Sequence, residues 1–114
     1  MAQVKVELLF LADCPNYVET KAILEDVLES QGLPTSIEMV RVKTQEDAAR
    51  LHFLGSPTVR LNGKDIEDSA EGSAKYGLFF RKYKSPNPRG MVTKAIMLKA
   101  VKQHAGTAAQ ETRG

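Results

Sequence analysis

The feature that most constrains this chain is a β-forming run that stops abruptly at a proline and passes straight into an amphipathic helix. Val4–Leu11 is rich in β-formers and leads into the apolar run Leu8–Ala12, the pattern of a strand covered on both faces of a sheet. Asp13-Cys14-Pro15 breaks it, and Pro15 suits the first turn of a helix, where a missing N–H costs nothing. At 100° per residue Tyr17, Ile23, Leu24, Val27 and Leu28 share one arc, with Glu19, Glu25, Asp26 and Glu29 on the other side. Gly32 supplies the stop after Gln31, and Pro34 prevents continuation. A strand followed by a crossover helix makes the next strand parallel to the first.

That next strand is expected over Ser36–Val42, where apolar and polar residues alternate. Thr44, with Asp47 three residues on, opens a short helix as far as about Phe53, and Gly55-Ser56-Pro57 ends it. Thr58–Leu61 reads as a strand, Asn62-Gly63 as a type I′ turn, and Lys64–Ile66 as its antiparallel return. Asp68–Lys75 reads as a polar loop. Tyr76–Tyr83 fits either a short strand or an ordered insert, Ser85–Gly90 is irregular, and Met91–His104 is helical. The order β-α-β-α-β-β-α predicts an α/β fold with a central mixed four-stranded sheet flanked by helices. At 114 residues the chain suits one domain, expected over 1–104, with 105–114 as a disordered tail.

Composition narrows the function classes. Hydrophobic residues make up 42% and charged residues 26%, which argues for a packed core rather than a disordered chain. No apolar run approaches the roughly 20 residues of a membrane-spanning helix, and no secretory leader is visible, so a cytoplasmic protein is expected. A single cysteine, Cys14, excludes an internal disulfide and a Cys-based zinc cluster. No phosphate-binding glycine loop and no Ser/His/Asp set appears, so no built-in cofactor or metal is expected. Residues 1–71 carry seven Lys/Arg against thirteen Asp/Glu, while 72–114 carry nine against one. Such polarity either steers an anionic partner or belongs to two oppositely charged faces that meet in the fold, and the second is the plainer reading.

The element order, with Cys14-Pro15-Asn16-Tyr17 between the first strand and helix and Ser56-Pro57-Thr58 ahead of the third strand, resembles the thioredoxin-like superfamily. Cys14 occupies the place of that family's Cys-x-x-Cys motif, and Pro57 the place of its cis-proline. The CPN triplet followed by Gly55-Ser-Pro-Thr-Val-Arg-Leu-Asn-Gly63 looks like a small bacterial group of such proteins. Some members of that group are selenoproteins, and some are labelled alkylmercury lyase-like. The resemblance covers residues 4–68 closely and 76–104 loosely. It implies Cys14 as the catalytic thiol, with Pro15, Asn16, Tyr17, Ser56, Pro57 and Thr58 lining the substrate.

The chemistry of Cys14 points the same way. A sulfur at a helix N-terminus meets unpaired amides and the positive end of the dipole, which favour thiolate over thiol and predict a pKa below the reference of about 8.5. Asp13 opposes this. The alternative is a buried cysteine acting as a small apolar residue. Tyr17 stands where a resolving cysteine would, so thiol exchange has to be monothiol, with glutathione or another low-molecular-weight thiol as co-substrate. On the apolar arc, Tyr17 is expected to pack in the core. A cis Ser56–Pro57 bond would present the backbone N–H and C=O ahead of it to an extended substrate, with Thr58 flanking the groove. His52 and His104 read as helix-end residues rather than catalytic partners.

The function expected is therefore a monothiol thioredoxin-like protein with thiol–disulfide or thiol-transfer activity, acting on a thiol or disulfide substrate or a partner protein. One alternative is a non-catalytic module that binds a partner or a metal through Cys14. Another is an anion- or nucleic-acid-binding protein. Arg81, Lys82 and Lys84 interleave with Phe79, Phe80 and Tyr83, and Lys94, Lys99 and Lys102 share one helix arc. The thirteen acids of the other half oppose phosphate, so nucleic acid is not the expected partner.

Overall fold

Alternation along the first strand decides how the layers stack. In the computed structural model, which describes residues 4–67, 76–83, 85–87 and 90–113 (side chains of the last helix as far as His104), β1 spans Val6–Phe10. Val6 and Leu8 point into one apolar cluster and Leu9 into another, so both faces of β1 are covered. Helix α1 (Tyr17–Ser30) buries Thr20, Leu24, Val27 and Leu28. Gly32 follows it with φ +68°, and the Leu33 N–H donates to Leu28 O at 2.9 Å, closing the helix with a Schellman-type turn.

Strand β2 (Glu38–Arg41) lies parallel to β1, with Leu8 beside Met39, as a crossover helix requires. Helix α2 (Gln45–Leu51) is capped by Thr44, whose hydroxyl accepts from the Asp47 N–H at 3.0 Å. The Arg50 guanidinium, and then the Lys43 amide, hold the Asp47 carboxyl below its ordinary range. Strands β3 (Thr58–Leu61) and β4 (Lys64–Asp65) form the expected hairpin. Asn62 and Gly63 both adopt positive φ, +55° and +81°, as a type I′ turn demands. β3 is antiparallel to β1, giving the sheet order β2-β1-β3-β4. The result is an α/β fold with a mixed four-stranded sheet and three helices in the predicted order.

Helix α3 (Lys94–Arg113) starts three residues later than the sequence suggests, because Thr93 Oγ1 accepts from the Ile96 N–H at 3.2 Å and so caps it. Met91 and Val92 are buried ahead of it. The backbone stays helical to Arg113, past the expected stop at His104; Ala105, Ala108, Ala109 and Gln110 are good helix formers. α1 and α3 pack on one face around Leu24, Leu28, Met97 and Val101. α2 covers the other face, where Phe53, Ala48, Val42, Leu9 and Leu11 surround Cys14.

Tyr76–Tyr83 is an ordered strap rather than a strand of the sheet. It makes one parallel bridge, Ser56 to Phe80, and alternates in burial: Arg81 and Tyr83 are inside, Phe80 and Lys82 outside. Arg81 forks onto Asp65 at 2.6 and 2.8 Å and reaches Glu67 at 2.9 Å, with its guanidinium over the Tyr83 ring. Burial alone would lower the affinity of Arg81 for its proton, but the Asp65 hydrogen bond and the surrounding negative charge hold it above the ordinary arginine value. Lys94 also pairs with Asp26, at 2.6 Å. The basic and acidic halves thus meet in the fold. Asp68–Lys75, expected as a polar loop, and Lys84 of the basic run lie outside the described residues. Among the described residues no helix is long and apolar enough to cross a membrane.

Replacing Arg81 with Met removes the guanidinium that two poorly exposed carboxylates, Asp65 and Glu67, share, and is expected to cost about 3–5 kcal/mol. Adding Asp65→Asn and Glu67→Gln to that variant restores most of the loss, measured by urea unfolding.

Candidate functional site

Because β1 and β3 are antiparallel, the loop that leaves β1 and the loop that enters β3 lie at the same end of the sheet. A buried hydrogen bond joins them: the Leu11 N–H donates to Ser56 Oγ at 3.0 Å. Cys14 follows Leu11 in a turn closed by its own N–H on Leu11 O at 3.0 Å. The cysteine-bearing loop and the Ser56–Pro57 loop, 42 positions apart in sequence, are thereby brought together.

Cys14 is only 5% exposed and belongs to the apolar cluster around Phe53. It sits two residues ahead of Asn16, the N-cap of α1, and so outside the first helical turn. The Asn16 side chain gives that turn no capping acceptor, and its Oδ1 is buried without a hydrogen-bond partner. The Asn16 carbonyl instead accepts from both the amide and the hydroxyl of Thr20. Tyr17 stacks on Phe10, centroids 4.4 Å apart, and packs against both core clusters, as its place on the apolar arc predicts. Pro15 is exposed.

The Ser56–Pro57 bond is cis. The groups beside it are not free to receive a substrate strand, contrary to the sequence expectation. The Ser56 N–H donates to Phe79 O at 2.8 Å, and Ser56 O accepts from the Arg81 N–H at 2.8 Å. Pro57 O accepts from the Tyr83 hydroxyl at 2.6 Å. The Thr58 hydroxyl, expected to flank a groove, is buried, donates to Gly55 O at 2.6 Å and accepts from Arg81. The cause is the strap, which lies along this loop and takes its hydrogen bonds. Gly55 has φ +103°, and a Cβ there would stand 2.6 Å from the Phe79 ring, so the ring rests against bare backbone.

His52 closes α2 as its C-cap in a left-handed conformation, its backbone N–H donating to Ala49 O at 3.3 Å, but its ring is not the group that meets Leu51 O and His52 O. The Arg60 guanidinium does so, at 2.7 Å from Leu51 O and 2.8 Å from His52 O, while the His52 ring stacks on Tyr76. Sequence reasoning also missed a cleft of about 630 Å³ beside the Cys14 loop. Its lining runs through Leu11–Asp13, Arg41–Lys43 and Leu78–Phe80. The signal was present only as the aromatic interleaving of 79–83. Among the described residues no group of His, Cys, Asp or Glu is arranged to hold a metal ion.

Burial raises the pKa of the Tyr83 hydroxyl above its ordinary value. Both states keep the proton below pH about 10, so stability is full there. Above it the unfolded chain ionises first, and stability is lost as pH climbs toward the folded value. Tyr83→Phe should cost about 1 kcal/mol at neutral pH through the bond to Pro57 O and flatten this alkaline loss, read from urea midpoints at rising pH. Ser56→Ala orphans the buried Leu11 amide and is expected to cost about 1–3 kcal/mol in the same assay. The chain matches no protein-family model, no curated protein and no solved structure.

Proposed function

We propose that this chain is a monothiol thioredoxin-like protein in which Cys14 exchanges with disulfides. The observation that carries the reading is the Leu11–Ser56 hydrogen bond, which sets the cysteine loop against the cis Ser56–Pro57 loop at one end of the sheet. Two further features support it. Asn16 leaves the first turn of α1 without a side-chain acceptor, and its own Oδ1 is a buried acceptor open to a donor. The element order and the CPN and SPT motifs carry the family resemblance.

In this reading the Cys14 thiol gives its proton to solvent, and its thiolate attacks one sulfur of a disulfide. A Cys14–substrate disulfide forms and the second substrate sulfur leaves as thiolate. Since the chain has one cysteine, an outside thiolate such as glutathione then attacks the mixed disulfide, releasing Cys14. That attack leaves the substrate sulfur in a disulfide with the outside thiol, and a second outside thiolate displaces it as the free thiolate, so two external thiols, ending as their own disulfide, supply the two electrons. The strap leaves no extended groove along Ser56, so the substrate disulfide has to approach from the exposed Pro15 side of the loop.

The native protein, oxidised in the presence of glutathione, is expected to take up one glutathione per chain or to form a Cys14–Cys14 dimer. Cys14→Ser abolishes both products by mass spectrometry. Iodoacetamide is expected to alkylate Cys14 in the folded protein, without denaturant. A cysteine that reacts only after denaturation is a core residue, and the proposal then fails.

A further inference from the structure

The cleft of about 630 Å³ lies where β1 and β2 end, and its residues have no part in the proposed thiol chemistry. One wall is apolar and left open to water: Leu78, Phe79 and Phe80 are 43%, 42% and 50% exposed. Isolated exposed apolar side chains are ordinary, but three in succession on one cleft wall are a contiguous apolar surface. The buried side chains of Leu11 and Val42 line the same cleft. On the β2 side stand Arg41 and Lys43, both exposed and neither in an ion pair among the described residues. Asp13 is the single acid on the lining.

The apolar wall is held in place before any ligand arrives. The strap is fixed on both sides of Phe80 by its bonds to Ser56, and upstream by the Gly77 N–H on Phe53 O and the Gln45 amide on Tyr76 O. Phe79 rests on Gly55. A fixed apolar wall facing two unpaired cations selects for a molecule with an apolar body and an anionic head. The volume suits a small molecule rather than a peptide or nucleic acid. A carboxylate fits best, because the guanidinium fork of Arg41 can take both of its oxygens.

We infer that this cleft binds an amphipathic carboxylate, its alkyl or aryl body against Leu78, Phe79 and Phe80 and its head on Arg41 and Lys43. Cys14 does not line the cleft, so the site stands apart from the thiol proposal.

Isothermal titration of the full chain with octanoate, octanol and octylammonium tests this. Octanoate should bind about tenfold more tightly than octanol, the scale of one charge-assisted contact at a partly exposed site. Octylammonium should bind most weakly. The double variant Arg41→Gln/Lys43→Gln, altered only at exposed positions, should bind octanoate and octanol equally. Phe80→Ser should weaken both, and Cys14→Ser should leave octanoate binding unchanged. Octanol binding as tightly as octanoate, preferential binding of octylammonium, or no binding of any probe overturns the inference. Loss of octanoate binding in Cys14→Ser overturns the separateness of the site.

Discussion

Ser56 is where the architecture is tied. Its hydroxyl takes the amide of Leu11, its N–H goes to Phe79 and its carbonyl receives the amide of Arg81. Each bond is modest on its own, about 1 kcal/mol net, but all three lie in buried surroundings where an unmade bond costs more than a made one returns. One fully buried residue therefore fixes the end of β1, the start of β3 and the strap relative to one another. The guanidinium of Arg81 then locks the strap to the β3–β4 hairpin through Asp65 and Glu67. Without Ser56 the end of β1 would lose its directed bond to the loop ahead of β3, and the strap would keep its place only through the Arg81 fork, the Tyr83 hydroxyl and the bonds at Tyr76 and Gly77.

This arrangement shapes the chemistry open to the site. A strand-like occupant already lies along Ser56, so recognition by backbone pairing there is used up within the chain. What faces outward is a loop with an exposed proline, a mostly buried thiol behind it and an aromatic-walled cleft beside it. The two proposals divide this end of the sheet between them, one at the sulfur and one at the cleft. They meet only at the short segment Leu11–Asp13, which lines the cleft and leads into Cys14.

The parts of the fold read correctly from sequence are those set by neighbours in the chain. The buried β1 run, the arc of α1, the Thr44 cap and the Asn62-Gly63 turn each depend on a few adjacent residues. The parts missed depend on distant partners. Arg81 meets carboxylates 14 and 16 positions away, and nothing in the local spacing marks it as buried rather than solvated. Tyr76–Tyr83 could not be assigned because it pairs with the sheet at one residue instead of along a ladder. The site residues were legible as a pair of loops through Cys14 and Pro57. Their availability was not, since the strap that consumes the Ser56, Pro57 and Thr58 hydrogen bonds arrives from 23 positions or more downstream.

The seat of Phe79 on Gly55 joins two positions that are far apart in sequence. Any side chain at 55 would strike the ring and would also have to hold a φ that L-residues rarely adopt. A smaller residue at 79 would relieve the collision but not the backbone. Drift is therefore one-directional: an ancestor could lose the aromatic at 79 while keeping glycine at 55, whereas losing the glycine first would displace the cleft wall and the loop ahead of the cis bond together. Position 55 is therefore tied to glycine whatever stands at 79, whereas a change at 79 reshapes the cleft wall and leaves the backbone ahead of Pro57 unstrained.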